Sequence, residues 1–128
     1  MLLTTFYFEL HRPFWLHQER DKLLWDDKNR ATFLEVSEKC YLPATTMFKD
    51  LISNHPEFKI TLSMSGTFME QAELYQPDVI GALQDLSNAG KENRQVEFLD
   101  ETYYHSLTGL FADPQKREFR DQITLHRE

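Results

Sequence analysis

Polar and ionisable residues stand where three predicted strands end. The first strand ends at His11, the second at residues 63–65, and the third, which contains Glu97, is followed by Glu101 and His105. In parallel α/β sheets, functional side chains gather at the carboxyl ends of the strands, so we expect these groups to share one rim. An ionisable residue inside an apolar strand, such as Glu97, is costly to bury without a partner, which makes it a candidate functional residue.

Each of these residues also has a purely structural interpretation, and the sequence leaves both open. His11 could be a loop histidine bonded to backbone, and Glu97 could point outward on an edge strand. Glu101 and His105 could form a simple pair, one turn apart, at the start of a helix. Trp15 could anchor the core or offer its ring face to a sugar, and nothing in the sequence separates these two roles.

The spacing of the available groups argues against metal, nucleotide and serine-nucleophile chemistry. The possible metal ligands are His11, His17, Asp100, Glu101 and His105, and none has a compact spacing such as His-Glu-x-x-His. The chain has no Gly-x-Ser-x-Gly motif and no glycine-rich phosphate loop, and it contains only four glycines. We therefore expect no bound metal and no cofactor.

The single cysteine, Cys40, is predicted to be a core residue on a helix rather than a nucleophile. It cannot form an internal disulfide, so nothing indicates an oxidising compartment. The N-terminus has no basic start and reaches Glu9 too early for a signal peptide, and no apolar run approaches membrane-spanning length. The default expectation is a cytoplasmic location.

Charge and composition limit the partners. The chain has 14 Lys and Arg against 21 Asp and Glu, a formal charge of −7, which argues against nucleic acid and against an anionic membrane. A neutral partner such as a sugar is compatible with this charge. With 128 residues, 41% of them hydrophobic, the chain is long enough for one folded domain.

The elements that must position these groups alternate between strand and helix. Residues 4–10 form a nearly continuous apolar run, typical of a strand buried on both faces. Residues 58–64 alternate strictly between apolar and polar, and residues 95–99 form a third strand. Helices between the strands predict parallel pairing, so the fold class is α/β with three βα units.

The helix boundaries follow from proline, glycine and capping residues. Residues 14–29 are predicted to be a long loop, residues 30–42 a helix ended by Pro43, and a second helix is predicted from Thr45 to His55-Pro56. Further helices are expected at 68–75 and 77–88, and a last one after Asp113-Pro114. Three βα units cannot close a barrel by themselves.

Several segments carry a resemblance to glycoside hydrolase family 57. Residues 6–13, Phe-Tyr-Phe-Glu-Leu-His-Arg-Pro, resemble the first motif of the family, an apolar strand followed by His-Gln-Pro. Residues 38–43 and 55–66 are similar to its α-amylase-like members. Residues 96–99, Val-Glu-Phe-Leu, resemble the second motif, and the following Glu-Thr-Tyr-Tyr-His-Ser-Leu string at 101–107 is the more specific match.

The resemblance implies that residues 1–128 are a single partial domain, the N-terminal part of an incomplete (β/α)7 barrel with retaining chemistry on α-glucans. It implies that His11 and Glu97 bind and orient the sugar and that Glu101 and His105 support them. Trp15 is a further candidate for a sugar contact, on the strength of its aromatic ring alone. The family's nucleophile and acid lie in later motifs, so neither is expected in this chain. The expected ligand is an α-glucan or maltooligosaccharide.

Two departures from the family pattern bear on activity. Arg12 replaces the usual glutamine, which adds a fixed charge beside the expected glucose site and removes a hydrogen-bond acceptor. Residues 91–94 resemble a short insertion before the second motif, of a kind that loops tolerate.

Two further functions stay open. One is a non-catalytic α-glucan-binding module that uses the same rim, and the other is a carbohydrate deacetylase, which would need a bound metal. A partial barrel would also leave strand edges uncovered, so we expect the chain to dimerise, aggregate or be only marginally stable.

Overall fold

The protein folds around a parallel sheet of three strands in the order β1-β2-β3, as seen in a computed structural model that describes residues 4–18 and 23–127. The strands are β1 (Phe6–Leu10), β2 (Ile60–Met64) and β3 (Val96–Leu99). Both pairings are parallel, with Phe6 opposite Ile60 and Ile60 opposite Val96. The α/β class and the parallel strands predicted from the sequence are confirmed.

The sheet has one apolar and one polar face, because side chains alternate along each strand. Ile60 and Leu62 of β2 are buried on the apolar face beneath the helices. The opposite face carries Tyr7 and Glu9 of β1 and Ser63 of β2, and the Tyr7 hydroxyl lies 2.7 Å from the Ser63 hydroxyl. The polar face is therefore the one that carries side chains able to bind a ligand or to take part in a reaction.

The expectation that β1 is buried on both faces is wrong for the strand as it stands in the structure. Phe6, Tyr7 and Phe8 are 44%, 51% and 39% exposed, and within β1 burial is reached at Leu10. The reason is position: β1 forms an edge of the sheet, and among the described residues it pairs with β2 alone.

The first crossover is one long helical stretch rather than two separate helices. It comprises α1 (Asp26–Val36), a π-helical turn (Ser37–Tyr41) and α2 (Leu42–Asn54). The prediction that a helix ends at Pro43 is therefore wrong. The π turn, in which the Leu42 N–H donates to the Ser37 carbonyl, widens the backbone just before the proline, whose ring would clash with the regular turn preceding it.

The placement of Cys40 also differs from expectation. It lies in the π turn and is exposed, not in the core. A π turn rotates the residues within and after it relative to a regular 3.6-residue period, so Cys40 does not share the buried side of the helix on which Phe33 lies.

The second crossover matches the sequence prediction closely. It consists of α3 (Gly66–Tyr75) and α4 (Pro77–Ala89). Phe68 and Ala72 of α3 and Leu86 of α4 are fully buried against the strands. Burial of this apolar face is what holds the helices on the sheet.

The C-terminal segment returns to the carboxyl end of the sheet. After β3 come a short 3-10 helix (Leu107–Leu110) and α5 (Arg117–His126), which begins three residues later than the Asp113-Pro114 signal suggests. Asp113 accepts hydrogen bonds from the backbone N–H groups of Gln115 and Arg117, so it forms a turn before the helix. None of the helices in the described part of the chain is long and apolar enough to span a bilayer.

Candidate functional site

Two carboxylates and an imidazole meet at the carboxyl end of the sheet. Nδ1 of His105 lies 2.6 Å from Oε1 of Glu9 and 3.2 Å from Oε2 of Glu101. Glu9 projects from the polar face of β1, whereas Glu101 and His105 belong to the loop after β3. The two outer strands therefore contribute to one cluster across β2. We call Glu9, Glu101 and His105 the rim triad.

His11 extends the rim triad along the same edge. Its ring centroid lies 4.4 Å from that of His105, and its Nδ1 is 2.8 Å from the Ser65 hydroxyl. Ser65 follows β2, caps α3 by accepting from the Phe68 N–H, and lies 3.1 Å from the Thr67 hydroxyl. Burial lowers the pKa of His11, and the neighbouring His105 imidazole lowers it further. His11 thus contacts a side-chain hydroxyl at the rim, not the backbone partner that its structural interpretation supposed, and its role in sugar binding stays a prediction.

The loop that carries His105 is held from both sides. The His105 N–H donates to the Thr102 carbonyl at 2.8 Å, and the Thr102 hydroxyl accepts from the Ser106 N–H. The Gly66 N–H donates to the Tyr103 carbonyl at 2.8 Å. A Cβ at Gly66 would meet the Tyr103 ring at 2.3 Å, so this close approach requires glycine.

Glu101 sits in the least exposed position of the rim triad. Its side chain is 13% exposed, and its Oε1 is buried with no hydrogen-bond partner among the described residues. Burial raises the pKa of this carboxyl, while the hydrogen bond with His105 opposes the shift. Glu101 and His105 do form a pair, but in an irregular loop and not at the start of a helix.

Glu97 lies on the polar face but outside the rim triad. It stands opposite Thr61 in the register, four residues before Glu101, which corresponds to about 13 Å along a strand. It is exposed on an outer strand, so the argument from the cost of burying its charge does not apply. His11 and Glu97 share a face of the sheet at different depths, and the expected convergence therefore holds for His11, Glu101 and His105.

Trp15 is not a core anchor, since it is 45% exposed. Its backbone is fixed by Asn29 of α1, which accepts from the Trp15 N–H at 2.6 Å and donates to its carbonyl at 3.1 Å. The Lys28 ammonium lies 3.8 Å from the Trp15 ring centroid. One face of the ring is therefore occupied by a cation of the same chain.

The remaining metal-ligand candidates lie apart from the rim triad. Asp100 is paired with Arg127, whose Nε donates to it at 2.6 Å. His17 packs edge-on against Trp25, with ring centroids 5.4 Å apart. Glu9, by contrast, was not among the candidates from the sequence, although alternation along β1 places it on the same face as His11.

The rim triad can exchange a proton, bind hydroxyl groups or hold a cation. A catalytic pair of a retaining glycosidase keeps its carboxyl groups about 5–5.5 Å apart around the bond that is cleaved. Here Glu9 and Glu101 both turn to the same nitrogen of His105, which fills the space that a glycosidic bond would need. The two carboxylates are therefore arranged as supports for His105.

Comparison with known proteins gives concordant results. A family model described as Glycosyl hydrolase family 57 matches residues 5–128. A relative in Methanocaldococcus jannaschii, described as "Putative alpha-amylase", is 37% identical over 135 residues, covering 99% of this chain and 27% of the relative. The crystal structure of 4-alpha-glucanotransferase from Thermococcus litoralis aligns with a TM-score of 0.61 at 23% identity, over 94% of this chain and 15% of that one. The chain thus spans about a quarter of its curated relative.

Proposed function

The chain belongs to glycosyl hydrolase family 57, and from that membership we propose that it forms the first part of a barrel that processes α-glucans. The observation that carries the proposal is the convergence of His11, Glu101 and His105 at the carboxyl end of a parallel sheet, on the face away from the helices. In barrels of parallel strands this edge carries the substrate.

The rim would contribute substrate contacts rather than bond cleavage. His11 and the rim triad supply hydroxyl-binding groups whose positions are fixed by Ser65 and by the loop that contains Thr102. Glu97, deeper on the same face and exposed, is suited to a second sugar contact, and the exposed Trp15 ring to a further one. The relative and the structural neighbour are named for α-glucan chemistry, which supports this substrate class.

The nucleophile and general acid would come from residues outside these 128. The carboxylates of the rim triad are both engaged with His105 rather than placed on either side of a bond to be cleaved. The chain alone would therefore bind α-glucans weakly and not hydrolyse or transfer them. Its exposed β1 edge would allow self-association.

Activity assays test whether this chain supplies substrate contacts while the nucleophile and general acid come from other residues. The purified chain is incubated with soluble starch and with maltooligosaccharides, first alone and then with the complementary C-terminal portion of a relative. We expect no reducing-sugar release or chain-length redistribution from the chain alone, and measurable turnover from the mixture. Turnover by the chain alone would show that the essential groups are present in it.

A non-catalytic α-glucan-binding module is the second candidate, favoured by the exposure of Trp15 and Trp25, which lie between β1 and α1 in the chain. Titration with maltooligosaccharides, monitored by tryptophan fluorescence, distinguishes this module from the first part of a catalytic barrel. A module predicts saturable binding by the chain alone and no gain of turnover with the complementary portion. The absence of any response at millimolar sugar would count against it.

A further inference from the structure

We propose that the rim triad binds a divalent transition-metal ion of the zinc type. One atom from each of Glu9, Glu101 and His105 can serve as a ligand, and these three atoms lie within 4.8 Å of one another. Carboxylate oxygen and neutral imidazole nitrogen are the donors that such ions take in proteins. This inference concerns the chain itself and does not depend on the proposed glucan chemistry.

The separations between the donor atoms suit an ion at their centre. Bond lengths of about 2.0–2.2 Å in a tetrahedral site place ligand atoms about 3.3–3.6 Å apart. The Glu101–His105 separation of 3.2 Å is already close to the lower end of this range. The Glu9–His105 separation of 2.6 Å is that of a hydrogen bond, so Glu9 must move outward by less than an ångström when the ion replaces the proton on Nδ1.

The second carboxyl oxygen of Glu101 also favours a cation at the rim. Oε1 of Glu101 is buried with no hydrogen-bond partner in the described part of the chain, and an unpaired buried acceptor carries a cost that a nearby cation would offset. Arg127 of the C-terminal segment is engaged by Asp100. The two glutamates of the rim triad would neutralise a divalent charge.

The site would keep open coordination positions. Three protein ligands leave at least one position of a tetrahedral ion for water or for a substrate oxygen, as in catalytic zinc sites. His105 is 46% exposed, so an ion bound there remains accessible from solvent. Nitrogen and oxygen donors without thiolate favour Zn²⁺, Co²⁺ or Ni²⁺ over Cu(I), and the single imidazole favours them over Ca²⁺.

Metal binding to the full chain tests the proposal. Co²⁺ is titrated and followed by its visible d–d absorption, and Zn²⁺ affinity is measured by competition with a chromophoric chelator. We expect one ion per chain, and an affinity lowered by at least about 100-fold in His105→Gln and Glu101→Gln, because losing a direct ligand exceeds the effect of losing an outer contact. His55→Gln is the matched control: His55 also faces a glutamate, Glu57, 3.7 Å away, but it lies beyond the opposite end of the sheet.

Absence of binding at 1 mM Co²⁺ or Zn²⁺ would overturn the proposal, and so would equal affinity in His105→Gln and the wild type, or an equal loss in His55→Gln. Far-UV circular dichroism of each variant shows whether it folds. Should His105→Gln unfold, Glu9→Gln gives the same test from the exposed member of the rim triad. All of these readouts are independent of glucan turnover, so their failure leaves the proposed function standing.

Discussion

At the scale of single residues, Gly66 decides how closely the Tyr103 loop approaches α3. The Gly66→Ala side chain would meet the Tyr103 ring at 2.3 Å, so either this ring or the loop that carries it must shift. We expect a loss of about 1–3 kcal/mol in unfolding free energy, the usual cost of overpacking. Urea denaturation of both proteins measures it.

Gly81→Ala is the matched control for that substitution. Gly81 lies within α4, and a Cβ there meets nothing within 4 Å. The same chemical change should therefore stabilise the protein by about 0.5–1 kcal/mol, because alanine favours the helix over glycine. Equal destabilisation by both variants would contradict the steric role of Gly66.

Tyr103 should give the protein a distinctive alkaline pH dependence. Burial and the hydrogen bond that its hydroxyl donates to Glu70 at 2.7 Å raise the pKa of Tyr103 to about 12, against an ordinary value of 10.0. Because the folded state holds the proton more tightly than the unfolded state, this stabilisation is complete below pH 10 and is lost as the pH rises towards 12.

The comparison of wild type with Tyr103→Phe isolates this effect. The difference in unfolding free energy between the two should be constant up to pH 10 and shrink between pH 10 and 12. Chemical denaturation at several pH values measures it, since other titrating groups are common to both proteins. A difference that grows over this interval would contradict the sign of the argument.

At the scale of elements, Gln95 ties the end of α2 to the start of β3. Its buried amide donates to the carbonyls of Ile52, His55 and Phe58 at 3.2, 3.0 and 2.9 Å. Gln95→Ala would remove these bonds and leave a cavity, at a cost of about 2–4 kcal/mol, although the His55 carbonyl would keep the bond that it accepts from the Phe58 N–H. The exposed Gln84→Ala on α4 should change the unfolding free energy by less than about 0.5 kcal/mol. Thermal and urea unfolding distinguish the two.

The order of the elements could be predicted from the sequence because each strand and helix depends on the spacing of apolar residues within a short segment. The apolar–polar alternation of β2 around Ile60 and Leu62, and the end of α2 before His55, both depend on residues that are close together in the sequence. The π turn before Pro43 could not be predicted in this way. It relieves the clash between the proline ring and the preceding turn, and the helix continues through this point because tertiary packing stabilises it. Its rotation is why Cys40 is exposed.

The site could be predicted only in part, for a different reason. His11, Glu101 and His105 each follow a recognisable strand, and the rule for carboxyl ends of parallel sheets brought them together. Glu9 was missed because its partner His105 lies far along the chain and no short spacing links them. Glu97 was grouped with them because it is an ionisable residue in an apolar strand. The strand register places it opposite Thr61, farther from the carboxyl end of the sheet than the other three.

At the scale of the whole molecule, the outer edge of β1 predicts self-association. Phe6 and Phe8 stack on each other with ring centroids 6.4 Å apart, and both are exposed on an edge strand whose outer side has no strand partner among the residues that the structure describes. We expect the isolated chain to form dimers or larger species, or to unfold with low stability, and Phe6→Lys to shift sedimentation towards the monomer. Leu74→Lys, on the exposed side of α3, should have little effect. A sharply unfolding wild-type monomer would contradict this prediction.

The rim triad joins the two outer strands across the middle one, and this makes it a check on how the sheet is assembled. If β3 slipped by one residue against β2, Glu101 would turn to the helix side and His105 would lose one of its carboxylates. The rim triad can therefore form only when β3 is in its observed register against β2. A ligand that binds the rim triad would stabilise the sheet in this register relative to a sheet in which β3 has slipped.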